Sequence, residues 1–184
     1  MTCIVGIARE GVVYMGGDHA VELSEKIRLC PRPKVAVTPD GRFIIGYSGI
    51  VYEGVTTMKR FCPPTLAPHA DPDDVAYAIC RHMKWLYGSR PCECTFLIGY
   101  EGRLYMLCNA APTYTRPLFL CQYTPEQHDC IGTDAAGFDK ILVRHMRSDE
   151  NLSPQSLISL TIHDASRATR GVGCFDSGPT ILSL

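Results

Sequence analysis

The chain has 184 residues, 46% hydrophobic and 20% charged, with a formal net charge of -1. Roughly 70% of the unfolded surface can be buried at this length, so the core needs neither disulfides nor a metal. A near-neutral charge gives no electrostatic drive towards nucleic acid or an anionic membrane, and no run approaches the ~18 apolar residues of a membrane span. The expectation is a single domain over residues 1–184, cytoplasmic, with no secretion signal.

Residues 2–9 are rich in β-formers, Glu10-Gly11 signals a turn, and residues 12–15 resume a strand. A second hairpin follows: a strand from Lys34 to Val37, the turn Thr38-Pro39-Asp40-Gly41, and a strand from Arg42 to Gly46. These strands are apolar on both faces, as expected where both sides are covered. Residues 50–61 suggest a helix stopped by Pro63-Pro64, and residues 62–72 a loop. Asp73 is placed as the cap of a helix with Val75, Ile79, Met83 and Leu86 on one face, ended by Gly88. Strands return at 95–100 and 103–108 around Glu101-Gly102, with a further one at 117–121. A short strand at 130–133 feeds a helix over 134–146, with Phe138, Ile141, Leu142 and His145 inward. Ser153-Pro154 opens a helix to residue 169, and residues 179–184 form an end strand. Strand groups separated by helix pairs predict an α+β fold: a four-layer αββα sandwich of two antiparallel sheets flanked by helices.

Ten cysteines are scattered through these elements, and Cys92-Glu93-Cys94 lacks the usual zinc spacing. They read as small buried hydrophobes. The six histidines show no metal-ligand spacing, and neither GxGxxG nor a Walker lysine is present. No metal or cofactor is expected. His19 reads either as a residue lining a cleft or as an exposed loop imidazole.

Chemistry can be built at the N-terminus. Removal of Met1 would leave Thr2 with a free α-amine, titrating near ~7.7–8.0 and able to take the proton of its own hydroxyl. Asp18 lies at the end of the second strand, beside the start of the first. Lys34 begins the third and Gly46 closes the fourth. Taken singly, each has a structural explanation: a strand start, a turn residue, a solvated lysine, a bend in a sheet. Together they supply an acid, a base and a backbone N–H for acyl transfer.

The opening Thr2-Cys3-Ile4-Val5-Gly6-Ile7, with Val12-Val13-Tyr14-Met15-Gly16-Gly17-Asp18, resembles proteasome β-subunits and the bacterial HslV peptidases. In that family of N-terminal-nucleophile hydrolases, an Asp and then a Lys follow the nucleophilic Thr at sixteen-residue intervals, which Thr2, Asp18 and Lys34 keep. Ile44-Ile45-Gly46-Tyr47-Ser48-Gly49 resembles the segment whose first Gly supplies the oxyanion N–H, and Ile131-Gly132-Thr133 the turn bearing a hydroxyl near the nucleophile's amine. The resemblance implies a threonine peptidase with Thr2, Asp18, Lys34, Gly46 and Thr133 as catalytic groups. It further implies a homo-oligomeric ring, a peptide or unfolded-protein substrate, and a separate ATPase unfoldase as partner. It gives no reason to expect nucleic acid or a membrane.

The family's Asp-x-x-Ser-Gly-Gly signature is absent. Asp164, Ser166 and Thr169 stand in its place as candidates for a third supporting group. Two other readings stay open: an amidase of the same fold acting on a small amide, and a non-catalytic scaffold that keeps Met1.

Overall fold

The opening hairpin sets the register of everything around it. In the computed structural model, which describes residues 2–23, 26–110 and 118–184, β1 (Cys3–Arg9) and β2 (Val12–Gly17) are antiparallel. Glu10 and Gly11 between them both have positive φ, 55° and 78°. Positive φ at both positions is what a type I′ turn requires, and its twist matches that of the strands it joins. There follow β3 (Ala20–Leu23), β4 (Lys26–Leu29), β5 (Val35–Val37), β6 (Ile44–Ser48), α1 (Val51–Arg60) and α2 (Pro72–Tyr87). The second half holds β7 (Thr95–Tyr100), β8 (Arg103–Asn109), β9 (Phe119–Tyr123), β10 (His128–Gly132), α3 (Ala135–Ser148), α4 (Pro154–Ala168) and β11 (Thr180–Ser183).

Two antiparallel sheets face each other, one ordered β10-β1-β2-β11 and the other β5-β6-β7-β8-β9, with β3 and β4 as a separate ribbon. Alternation along β1 explains its unbroken apolar run. Cys3, Val5 and Ile7 meet Phe138, Leu142 and Ile158 of α3 and α4, while Ile4 and Ala8 join Met15, Ile44, Leu97 and Leu104 between the sheets. On the far side, Phe61, Ile79 and Met83 pack on Tyr47, Phe96 and Tyr105, so α1 and α2 cover the second sheet. The layers are therefore helix, sheet, sheet, helix, as the sequence predicts. Close approach is set by small residues: a Cβ on Gly6 would lie 2.8 Å from Leu97. At the end away from Thr2 the two tight turns touch, since a Cβ on Gly102 would lie 2.8 Å from the Gly11 backbone.

Three local expectations are corrected. The cap of α2 is Asp71, whose side chain accepts from the Asp73 N–H at 2.9 Å. Pro72 occupies the first turn, where its missing N–H costs nothing. Residues 20–23 and 26–29, to which the sequence pattern assigns no strand, form the β3–β4 ribbon. It escaped a pattern reading because β4 alternates charged residues with exposed Ile27 and Leu29. The strand expected at 117–121 is β9, displaced to Phe119–Tyr123; Pro117 and Met1 lie outside the described residues. No helix among the described residues is long and apolar enough to cross a membrane.

Candidate active site

Thr2 stands at the head of β1, held by hydrogen bonds that extend the first sheet beyond its strands. The Thr133 N–H donates to the Thr2 carbonyl at 3.2 Å, and the Asp18 N–H to the Cys3 carbonyl at 3.1 Å. The residue after β2 is thereby turned back towards the start of β1. The Asp18 carboxylate, fully buried, accepts from Cys3 N–H and Lys34 Nζ on Oδ1, both at 2.9 Å. Its Oδ2 accepts from Ala20 N–H at 3.0 Å and Gly173 N–H at 3.3 Å. Buried carboxylates persist when their oxygens are satisfied in this way.

Lys34 enters from the segment before β5. Its Nζ donates to Thr2 Oγ1 at 3.1 Å, to Asp18 and to the Ala20 carbonyl. Thr2 is 4% exposed, Lys34 2% and Asp18 0%, which places an ion pair and a hydroxyl together out of bulk water. Burial pushes the Lys34 ammonium below its ordinary value, and the Asp18 carboxylate opposes that shift. An ammonium 3.1 Å from a hydroxyl oxygen favours negative charge developing there by on the order of 5 kcal/mol at an effective dielectric of ~20. Cys3, next to Thr2, is no rival nucleophile. Its side chain lies on the α3–α4 face, and burial pushes its thiol well above the usual range.

Thr2 and Lys34, with Asp18 buried behind them, line a cleft of about 490 Å³ whose other walls are Ala20 to Glu22, Tyr47 to Tyr52, and Thr133. That volume suits a short stretch of peptide or a small molecule. The cleft walls include the start of α1, whose N-cap residue Ile50 makes no side-chain capping bond. Uncapped N–H groups at a helix start carry partial positive charge.

No protein-family profile matches the chain. Its fold, however, is that of known structures. The Thiobacillus denitrificans protein BPH superposes with a TM-score of 0.74, over 99% of this chain and 97% of that one, at 11% identity. BPH in complex with epoxomicin gives 0.74 at 10% identity over the same shares. Eukaryotic HslV from Trypanosoma brucei gives 0.69 at 12% identity, over 99% of this chain and 98% of that one. This is the proteasome-type N-terminal-nucleophile hydrolase fold.

Within this proteasome-type fold the expected site residues separate into two groups. Thr2, Asp18 and Lys34 are brought together, and Thr133 reaches the same cleft, its side chain exposed at the lip and its N–H on Thr2. Gly46 is not at the cleft, and its expected role as oxyanion donor is corrected. It lies inside β6 between β5 and β7, paired with Val35 and Leu97. A Cβ there would lie 2.7 Å from Ile4, between the sheets. The Tyr47 N–H goes to the Lys34 carbonyl, so by strand alternation that of Gly46 points the other way, into the ladder with β7. Three residues on, Gly49 does line the cleft, at φ 130°.

None of the three proposed supporting side chains stands at Thr2. Asp164 pairs with Arg144 and His145 between α3 and α4, Ser166 donates to the His163 carbonyl, and Thr169 terminates α4. The loop after α4 supports the site through its backbone instead: Gly173 N–H on Asp18, and Gly173 carbonyl accepting from His19 N–H at 2.7 Å. His19 fits neither earlier reading. It is buried, with Nε2 3.0 Å from Thr180 Oγ1 and its ring against Phe175. Among the described residues no group of three His, Cys, Asp or Glu could hold a metal.

Proposed function

We propose that the chain is a threonine-type peptidase, with Thr2 as nucleophile once Met1 has been removed. The observation that carries this is the position of Lys34 Nζ, bridging Thr2 Oγ1 and Asp18 at the floor of an open cleft. In the proposed reaction the Thr2 α-amine takes the hydroxyl proton while Oγ attacks the amide carbon. The adjacent ammonium, oriented by Asp18, steadies the charge on Oγ. The tetrahedral oxyanion forms against the wall made by Ser48, Gly49 and the uncapped start of α1, and we assign the donor role to Gly49 N–H. One such donor contributes about 3–4 kcal/mol to lowering the barrier. The α-amine returns its proton to the leaving nitrogen, and water then opens the ester by the same route in reverse. Thr133 orients the Thr2 backbone in this scheme.

By resemblance, the working form is a homo-oligomeric ring in the cytoplasm that admits unfolded protein from a separate ATPase unfoldase. Epoxomicin, the ligand in one of the BPH structures, provides the test. Intact mass after incubation should show one adduct per chain, mapped to Thr2 and absent from Thr2→Ala. A mature chain that retains Met1, or an adduct that survives Thr2→Ala, overturns the proposal.

A further inference from the structure

On the outer side of the second sheet, far from Thr2 in sequence, two cysteines flank the same apolar cluster where α2 crosses β9. The Cys80 thiol donates to the Phe119 carbonyl at 3.4 Å. Phe119 and Cys121 are two apart on β9, so they share the face turned to α2, and both belong with the cluster beneath that helix. Cys121 is in register with Leu107, another member of that cluster, whereas Cys108 alternates to the opposite face with Met106. The helix and the strand pack directly on each other, and a disulfide between them requires Cα atoms ~4.4–6.8 Å apart. Both thiols are half-buried rather than sealed.

We infer that Cys80 and Cys121 form an oxidisable dithiol, a site at which a hydroperoxide installs a disulfide between the outer helix α2 and the edge strand β9. Cys80 is the attacking partner. Hydrogen bonding from the Cys121 thiol lowers its pKa most, burial works against this, and the Cys121 N–H and Lys84, one turn along α2, lower it further, to about 7. That direction makes Cys80 the readier of the two to lose its proton and attack. Its hydrogen bond with Cys80, then burial, push Cys121 the other way. Burial likewise raises Cys3, Cys92, Cys94 and Cys130, so Cys80 is the one lowered among these thiols.

The steps balance without another reductant. Cys80 thiolate attacks the peroxide, an S–O bond forms, the O–O bond breaks, and the departing oxygen leaves protonated as water or alcohol. Cys121 then attacks the Cys80 sulfenic acid. The S–S bond forms, the S–O bond breaks, and hydroxide leaves as water with the Cys121 proton. Two thiols supply the two electrons that reduce the peroxide.

The test uses the full chain treated with hydrogen peroxide. Intact mass should fall by two hydrogen atoms, and a non-reducing peptide map should join the Cys80 and Cys121 peptides. Cys80→Ser should abolish the link. Cys121→Ser, checked for its fold by circular dichroism, should stop at a Cys80 sulfenic acid trapped by dimedone. Iodoacetamide should alkylate untreated Cys80 with an inflection near about 7, moving upward in Cys121→Ser. A link between other cysteines, no loss of hydrogen, or a Cys80 no more reactive at neutral pH than exposed Cys62 overturns the inference.

Discussion

Replacing Asp18 with Asn changes almost no volume, yet every neighbour of that side chain is a donor. Oδ1 receives Cys3 N–H and Lys34 Nζ, and Oδ2 receives Ala20 N–H and Gly173 N–H. Whichever way the amide is flipped, its NH2 faces two donors and both bonds are lost. Each bond to a charged group contributes about 1.5–3 kcal/mol. Asn also leaves Lys34, 2% exposed, without its counter-charge, and breaking a buried pair costs about 3–5 kcal/mol. These terms overlap, so the expected loss is about 3–5 kcal/mol rather than their sum, or roughly 10 °C in Tm. Urea unfolding at neutral pH measures it. The double variant Asp18→Asn/Lys34→Met should lose less than the two single variants added together, because the unpaired cation is gone. A loss below about 1 kcal/mol for Asp18→Asn would show that the carboxylate is not the hub of this network.

Lys34 also predicts a pH dependence. Its folded pKa lies below the ordinary 10.5, so over that window the unfolded chain binds more protons than the folded one and stability rises with pH. Wild type should gain on Lys34→Met as pH climbs towards 10.5, read as a growing difference in urea midpoint; the opposite slope refutes the assignment. At Gly54 an alanine Cβ would lie 2.0 Å from the Tyr47 ring. Gly54→Ala should therefore destabilise by about 1–3 kcal/mol, despite alanine's better helix propensity, and slow epoxomicin capture, since Tyr47 lines the cleft. Asp71→Ala should cost about 1 kcal/mol through loss of the α2 cap, and Asp73→Ala within about 0.5 kcal/mol of nothing. Equal effects would return the cap to Asp73.

Much of the architecture was legible because it is written in short-range patterns. The Glu10-Gly11 and Glu101-Gly102 turns, flanked by apolar runs, announce hairpins through the positive φ they adopt. Ser153-Pro154 opens α4 as read. The intervals joining Thr2, Asp18 and Lys34 were also readable, and the fold brings those three together. What a pattern reading missed at the site shares one property: it depends on the facing of a backbone group or on contact across the whole chain. Ser48-Gly49 leading straight into a helix was a signal for a cleft wall, outweighed by the likeness of Gly46 to the family segment.

The sequence by itself determined where most strands, turns and helices fall, because alternation, positive-φ turn residues and prolines act over a few neighbours. Only the tertiary structure decided which backbone groups serve Asp18. Gly173 reaches it from 155 residues away, and no side chain marks that contact. It decided Gly46 as well: parity along β6 turns that residue into the space between the sheets, leaving Gly49 at the cleft. Side-chain identity is local and readable, whereas the direction of an N–H is settled only when distant strands pair.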